Sequence, residues 1–236
     1  MAGSDVLVIV PALDEEASLP GTLAEIRAAA PAVDVLVVDD GSRDRTFDVA
    51  RDHGLPVLRH TVNLGVGAAL QTGFRFAIEH GYSIGVQLDA DGQHDPRFLA
   101  ALVAPVREGR CDLAIGSRYV AHTSYQAPRM RRLGMWMFSG VVYLAIGHRI
   151  ADTTSGFRAY GRRVMEVCVH DFPRDFPDAP LLIDLARRGF RWIEVPVEMR
   201  ARVAGESFYT LSKSLYYPYK NMLASLMVLL RRRERS

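Results

Sequence analysis

Two aspartates one residue apart, Asp89 and Asp91, follow a short apolar run in the segment Asp-Ala-Asp-Gly-Gln. If that run is a β-strand, both carboxylates lie at its carboxyl end and can converge on one cation. Mg²⁺ and Mn²⁺ prefer such oxygen ligands and commonly share them with substrate phosphates, and the amide oxygen of Gln93 can join the set. Taken alone, the pattern more often means an acidic turn, so its interpretation depends on neighbouring motifs.

Two more acidic loops follow apolar runs, at residues 11–16 and 39–46. In a parallel sheet the carboxyl ends of the strands lie at one edge, where open α/β sheets bind ligands. Four carboxylates are therefore expected to share one crevice: Glu15, Asp40, Asp89 and Asp91. Such a cluster repels itself and needs cations or hydrogen-bond donors. We expect Glu15 and Asp40 to accept hydrogen bonds from the N–H edge of a nucleotide base and from the ribose hydroxyls. A metal held by Asp89 and Asp91 would neutralise the diphosphate.

Two weaker motifs lie near these loops. The glycines of the segment from Asn63 through Gly65 to Gly67 allow backbone to approach a ligand or a neighbouring loop, but the segment lacks the Lys-Ser/Thr of a P-loop and the third glycine of a dinucleotide fingerprint. Arg118 ends the fourth predicted strand, where it is placed to pair with a phosphate. The alternative for Arg118 is an ordinary surface arginine.

These motifs must be positioned by alternating strands and helices, which is the pattern of a mainly parallel sheet flanked by helices. The predicted strands are residues 6–10, 33–38, 83–88 and 112–115. The predicted helices are residues 19–30, 46–53, 66–80 and 96–108, the last opened by Asp95 and Pro96, with further helices near 162–169 and 179–188. We therefore predict an α/β fold, with one catalytic domain over residues 1–205.

The composition of the 236 residues is that of an ordinary globular domain. Cys111 and Cys168 lie in separate apolar runs, which argues against disulfides and structural zinc and fits a reducing cytoplasm. We predict neither a secretion signal nor a spanning helix, because the start lacks the basic and apolar regions of a signal and no uncharged apolar run reaches the required ~18 residues.

The carboxyl-terminal part is basic. From Arg200 onward there are eight Lys or Arg and two Glu, a charge of +6; because the whole chain carries +2, the rest carries −4. Residues 208–230 place apolar side chains at helical spacing, with a kink expected at Pro218. We predict that residues 206–236 form an amphipathic helix and tail at an anionic membrane surface. The alternative is a helix docked on the core.

Taken together and in this order, the motifs resemble family 2 glycosyltransferases of the GT-A fold, and among them the dolichyl- or polyprenyl-phosphate mannose synthases, over nearly the whole chain. The resemblance implies Mg²⁺ or Mn²⁺ held by Asp89, Asp91 and Gln93. It implies nucleotide binding by Pro11, Leu13, Glu15, Asp39, Asp40, Asn63, Gly65, Asp89 and Ala90. It implies phosphate binding by Arg118, Arg129, Arg132, Arg202 and Ser207.

The resemblance also places residues 152–158 near the reaction centre. Two departures stand out: Ser207 is followed by Phe208 where the family often has Lys, and the acid that often starts the following helix is represented by Asp178. The candidate catalytic residues are Asp91, Arg118, Asp152 and Asp178.

The implied reaction is an inverting transfer of a hexose from GDP-mannose or a UDP-sugar to a polyprenyl phosphate at the cytoplasmic membrane face. A phosphate acceptor arrives ionised and needs no strong base, whereas a hydroxyl acceptor requires one, with Asp152 and Asp178 as candidates. Two alternatives remain: a same-fold enzyme acting on a soluble or saccharide hydroxyl, and a non-catalytic nucleotide-sugar binding protein. A nucleotidyltransferase is disfavoured because residues 11–16 lack a basic glycine-rich loop, and nucleic-acid binding because the core is acidic.

Overall fold

The structure is a computed structural model that describes residues 4–120, 143, 150–173, 179–200, 223–228 and 230. Its centre is a seven-stranded sheet in the order β3-β2-β1-β4-β6-β5-β7. The strands are β1 Val6–Ala12, β2 Asp34–Asp39, β3 Val57–Arg59, β4 Ile84–Gln87, β5 Leu113–Ser117, β6 Arg158–Gly161 and β7 Trp192–Pro196. All neighbouring pairs are parallel except those that β6 makes with β4 and β5. The carboxyl ends of β2, β1 and β4 therefore lie side by side at one edge.

Helices cover both faces of the sheet. They are α1 Leu19–Ala29, α2 Thr46–Asp52, α3 Val66–Glu79, α4 Leu99–Arg107, α5 Arg162–His170 and α6 Ala179–Arg187, with a 3₁₀ turn at Pro96–Phe98 before α4. The alternation of β1 explains the two layers: Leu7 and Ile9 pack towards α3, α5 and α6, whereas Val6, Val8 and Val10 pack towards α1, α2 and α4. The predicted α/β fold with a mainly parallel sheet is confirmed.

The four predicted strands and the six predicted helices up to residue 188 agree with the structure to within two residues at either end, once the 3₁₀ turn is joined to α4. The predicted helix and tail over residues 206–236 lie outside the described residues except at 223–228 and 230. Asp95 caps that turn, its side chain accepting from the backbone of Arg97. Three strands were not predicted. β3 has only three residues, β6 includes the fully buried Arg158, and β7 includes the charged Glu194. Each lacks the apolar run that marked the other four.

Residues 223–228 are helical and show two unlike sides. Ser225 is buried and Val228 packs against the core, its carbonyl accepting from Arg187 of α6. The opposite side leaves four apolar residues exposed, namely Leu223, Leu226, Met227 and Leu230. Within the described residues, no helix combines the length and apolar character that crossing a membrane requires.

Candidate active site

The three acidic loops are joined to one another at the carboxyl edge of the sheet. The backbone N–H of Asp14 donates to Ser42 Oγ at 3.0 Å, and that of Glu15 donates to Thr46 Oγ1 at 2.8 Å. On the other side of β1, Thr22 Oγ1 donates to the carbonyl of Ala90 at 3.0 Å. The loops after β1, β2 and β4 therefore form one continuous surface, as expected for parallel strands whose carboxyl ends share one edge.

Asp39 lies beneath this surface and is completely buried. Its Oδ1 accepts a hydrogen bond from the backbone N–H of Ser42 at 3.0 Å. Its Oδ2 lies 2.9 Å from Arg59 Nε and forms an ion pair with it, although the contact does not have the geometry of a hydrogen bond. Arg59 also donates to the Ser42 carbonyl and lies over the ring of Phe47. Asp39, predicted to contact the nucleotide, thus holds the turn that follows β2.

Asp40, predicted to bind a base or ribose, has several protein partners. Its Oδ1 lies 2.7 Å from His60 Nδ1 and accepts from the Leu64 N–H at 3.0 Å, while its Oδ2 accepts from the Gly65 N–H at 2.8 Å. The side chain is only 5% exposed. The carboxylate therefore ties the end of β2 to the glycine-containing loop that opens α3.

The other predicted nucleotide residues lie along the same edge. Pro11 and Leu13 are half-buried, Asn63 is exposed with its Oδ1 accepting from the Gly65 N–H, and Ala90 is buried. Glu15 is 9% exposed, and its Oε2 accepts from the Ser18 hydroxyl.

Asp14 has a left-handed backbone, φ 53°, which is uncommon for a residue other than glycine. The Ser42 hydroxyl accepts from its N–H, and its carboxylate accepts from the Arg43 N–H at 2.7 Å. Both contacts come from the loop after β2, so that loop sets the conformation of residues 11–16.

Asp89 and Asp91 occupy a tight turn after β4. Asp89 is 37% exposed, its Oδ1 accepts from Gln87 Nε2 at 3.2 Å, and its backbone N–H donates to His94 Nδ1 at 3.0 Å. That donation requires Nδ1 to be unprotonated, so a neutral His94 carries its proton on Nε2, 3.7 Å from Asp89 Oδ2. Asp91 Oδ1 accepts from the Gln93 N–H at 3.0 Å. The turn thus holds both carboxylates at fixed positions.

The donor set of this turn fits a hard divalent cation. Asp89 and Asp91 supply carboxylate oxygens, and the Gln93 backbone is held on both sides, its N–H by Asp91 and its carbonyl by the Arg200 N–H at 2.9 Å. Across the described parts of the chain, no three His, Cys, Asp or Glu side chains converge as a metal site. Oxygens of Gln93 and of a substrate would add to the two carboxylates around a cation here.

The loop from Asp152 to Arg158 lies against this turn. A Cβ added to Gly156 would lie 3.0 Å from Asp89 Oδ2 and 2.9 Å from Gln87 Nε2, so only glycine allows so close an approach. The ring of Phe157 stacks on that of His94, with centroids 5.1 Å apart. The loop that the resemblance placed at the reaction centre is therefore in contact with the candidate metal ligand Asp89.

Arg118 and Asp152 form a buried, two-pronged ion pair. Arg118 Nε and Nη2 each lie 2.7 Å from a different oxygen of Asp152, and Nη2 also donates to Thr154 Oγ1 at 3.0 Å. Glu194 of β7 in turn accepts from the backbone N–H groups of Ala151 and Asp152 at 2.8 and 2.9 Å. Arg118 is thus not the surface arginine of the alternative interpretation.

This pairing bears on the proposed base. Both oxygens of Asp152 accept from Arg118, and Asp152 is 1% exposed. A general base must reach the acceptor proton with a free lone pair, so the geometry argues against Asp152 in that role. The other candidate base, Asp178, lies outside the described residues, as do Arg129, Arg132, Arg202 and Ser207.

Several residues of the site were not predicted from the sequence. His60 and His94 each bond to a loop that holds predicted site residues, and Glu194 and Arg59 support Asp152 and Asp39. The only local signal was His94 in the same turn as Asp91. The others come from distant elements whose pairing was not predicted.

Comparison with known proteins identifies the family and the fold. The model of Glycosyl transferase family 2 matches residues 7–168. The chain is 37% identical over 211 residues to an undecaprenyl-phosphate mannosyltransferase of Micrococcus luteus, covering 86% of each chain. It is also 37% identical to a polyprenol monophosphomannose synthase of Mycolicibacterium smegmatis, covering 85% of this chain and 79% of that relative.

A solved structure of glucosyl-3-phosphoglycerate synthase from Mycobacterium tuberculosis, crystallised with Mn²⁺, UDP-glucose and phosphoglyceric acid, superimposes with a TM-score of 0.76. At 22% identity it covers 99% of this chain and 82% of its own, which establishes the GT-A fold. The chain belongs to glycosyl transferase family 2. It is a glycosyltransferase, and the resemblance drawn from the motifs is confirmed.

Proposed function

We propose that this enzyme moves a hexose from a nucleoside-diphosphate sugar to a polyprenyl phosphate, with inversion at the anomeric carbon. Relatives named as undecaprenyl-phosphate and polyprenol mannose transferases, alike over most of the chain, support the lipid acceptor. They favour mannose, and therefore GDP-mannose, over a UDP-sugar. The name of another relative, at 27% identity, includes a UDP-sugar and a dolichyl phosphate, so both donors are to be tested.

The observation that carries the acceptor assignment is the buried Arg118–Asp152 pair beside the candidate metal turn. Both oxygens of Asp152 accept from Arg118 and one also accepts from Thr154, which argues against Asp152 as the base for a hydroxyl acceptor, while the second candidate, Asp178, lies outside the described residues. A phosphate oxygen is already ionised and can attack without a base. Arg118, held in place by Asp152 and Thr154, would lie beside the phosphates at this edge.

Asp89, Asp91 and Gln93 are the residues that would hold Mg²⁺ or Mn²⁺. When bound, the cation neutralises the donor diphosphate and stabilises the charge on the departing nucleoside diphosphate. Loops 11–16 and 39–42 would hold the nucleoside. Gly156 brings the backbone of loop 152–158 against Asp89, next to the sugar end of the donor.

A comparison of two lipids tests the acceptor assignment. The enzyme is supplied with radiolabelled GDP-mannose or UDP-glucose, Mn²⁺, and either polyprenyl phosphate or polyprenol of equal chain length. We expect label in the lipid fraction only with the phosphate, and a product of inverted anomeric configuration. Equal transfer to polyprenol would show that a base operates and would overturn the proposal, as would transfer only to a water-soluble acceptor.

We further propose that the enzyme acts on the cytoplasmic face of the membrane as a peripheral protein. The exposed side of residues 223–230 presents Leu223, Leu226, Met227 and Leu230 at i, i+3, i+4 and i+7. Four arginines follow within residues 231–235. Apolar side chains beside a run of cations suit an anionic lipid surface, while Ser225 and Val228 keep the helix on the catalytic domain.

Vesicle flotation tests the membrane proposal. We expect the full chain to float with vesicles containing anionic lipid, and the double variant Leu226→Ser, Met227→Ser to lose most of that binding. A matched double variant, Val62→Ser with Leu64→Ser, removes two exposed apolar side chains elsewhere and should float like wild type. If Leu226→Ser, Met227→Ser floated as well as wild type, this helix would not be the part of the protein that binds the membrane.

A further inference from the structure

His60 lies at the centre of a hydrogen-bond network beneath the glycine-containing loop. Its Nδ1 is 2.7 Å from Asp40 Oδ1, and its Nε2 is 2.9 Å from Thr72 Oγ1 on α3. A carboxylate only accepts hydrogen bonds, so Nδ1 is the protonated nitrogen facing Asp40. Nε2 of a neutral ring then accepts from the Thr72 hydroxyl. The imidazole thus links the end of β2 to the first half of α3.

The network fixes the backbone of the loop rather than its side chains. Asp40 accepts from the N–H groups of Leu64 and Gly65, the last residues before α3 begins at Val66. At Gly41, φ is +80°, and an added Cβ would lie 2.6 Å from the carbonyl carbon of Val62. Since only glycine permits this approach, the backbones of loops 39–42 and 60–65 are held in close contact.

The side chains of this loop do not explain the network. Val62 is 59% exposed and Leu64 is 52% exposed, and Asn63 is exposed as well. A loop that contributes so little to the core has no packing reason to be held by a buried carboxylate and a half-buried imidazole. It lies at the carboxyl edge of the sheet, beside the loops assigned to the nucleoside.

We infer that His60 is a positioning residue of the donor site: it orients Asp40, which holds loop 60–65 in the shape that receives the nucleoside. The inference rests on the proposed use of a nucleoside-diphosphate donor. It adds a role for Asp40 beside the predicted contact with the base or ribose, because three protein donors already hold that carboxylate.

Substitutions at His60 and Thr72 separate the functions of the two ring nitrogens. In His60→Asn the side-chain amide N–H takes the place of Nδ1 and keeps the bond to Asp40, whereas His60→Ala loses it. Binding of GDP and UDP with Mn²⁺ is measured by calorimetry. We expect the dissociation constant to rise about tenfold or more in His60→Ala and to stay within about threefold of wild type in His60→Asn. Thr72→Val should show the smaller effect. His80→Ala, an exposed histidine at the end of α3, is the control.

Hydrogen exchange of the Leu64 and Gly65 amides gives a second readout that needs no ligand. In His60→Ala these two amides should exchange faster, while those of β1 and β4 keep the wild-type rate. If His60→Ala binds nucleotide as tightly as wild type, the positioning role is overturned. If wild type binds neither GDP nor UDP, the proposed donor is wrong. In that case the hydrogen-exchange rates alone show whether His60 holds Asp40 and the backbone of loop 60–65.

Discussion

The carboxylates at the edge of the sheet fall into two groups with opposite surroundings. After β2, Asp39 and Asp40 are buried and bound by Arg59, His60 and backbone N–H groups. After β4, Asp89 is 37% exposed, its Oδ1 accepts from Gln87 at 3.2 Å, and His94 Nε2 lies 3.7 Å from its Oδ2, while Asp91 is 8% exposed and accepts from the Gln93 N–H. Arg59 and His60 face the carboxylates of the first group, whereas Asp89 of the second group is more exposed and is one of the residues that we propose to hold a cation.

The difference separates two tasks that the sequence makes look alike. Both are short acidic motifs at strand ends, yet the loop after β2, proposed to hold the nucleoside, is fixed by its own hydrogen bonds, and the turn after β4, proposed to hold the metal, keeps Asp89 more exposed. Substitutions should therefore lower stability on the first side and turnover on the second.

The largest effect is expected at the metal turn. Asp89→Asn and Asp91→Asn should each lower turnover by about 10²–10³-fold or more, because the charge that holds the cation is removed. The free energy of unfolding without metal should stay within about 1 kcal/mol of wild type, since like-charge repulsion is relieved. Sugar transfer and urea unfolding are measured for each variant. Asp48→Asn, an exposed acid on α2, serves as control, and wild-type turnover by Asp91→Asn would refute the metal site.

Asp152→Asn tests whether Asp152, in the loop of residues 152–158, stabilises the fold in the same way as Asp39 and Asp40. Removing one partner of the buried pair leaves Arg118 uncompensated and should lower the free energy of unfolding by about 3–5 kcal/mol. Asp171→Asn breaks a pair with Arg188 in which both side chains are more than a third exposed, and it should lower that free energy by less than about 1 kcal/mol. Residual activity of Asp152→Asn should keep the wild-type pH profile. Loss of the acidic limb alone would instead identify Asp152 as the base.

Asp39→Asn provides the matched substitution on the nucleoside side. The carboxylate is fully buried and bound to the Ser42 N–H and Arg59. We expect about 2 kcal/mol less stability, with urea unfolding as the measurement. If Asp39→Asn and Asp89→Asn lowered stability equally, the contrast between the two sides would be wrong.

A smaller effect is expected from pH at Asp95, which pairs with Arg200, the residue whose backbone N–H bonds to the Gln93 carbonyl. Hydrogen bonds from Arg97 are the main cause that lowers the pKa of Asp95 from 3.8 to about 2, and Arg200 adds to it. The stabilisation is therefore present above pH ~4 and is lost as pH falls towards 2. We expect protonation of Asp95 to lower the free energy of unfolding by about 1–2 kcal/mol, a value that allows for solvent screening because Arg97 is exposed. The free energy of unfolding in urea should fall less between pH 5 and pH 2.5 for Asp95→Asn than for wild type. An equal fall in both proteins would contradict the stabilising role of the Asp95 carboxylate.

The sequence predicted the elements that have strong apolar periodicity, and with them the common edge of the acidic loops. It did not predict β6 or β7, because a buried Arg158 and a charged Glu194 break the apolar pattern of short strands. Nor did it predict which acids are already paired. Asp40 meets His60 across 20 residues and Asp152 meets Arg118 across 34, and such partners are fixed only by the folded chain.

Mn²⁺ binding followed by electron paramagnetic resonance tests the metal site without knowledge of the sugar or the acceptor. In the presence of GDP or UDP, wild type should remove free Mn²⁺ signal beyond what the nucleotide alone removes. Asp89→Asn and Asp91→Asn should lose that extra binding, whereas Asp48→Asn should keep it. Equal Mn²⁺ binding by wild type and both turn variants would place the cation elsewhere and contradict the account of this edge.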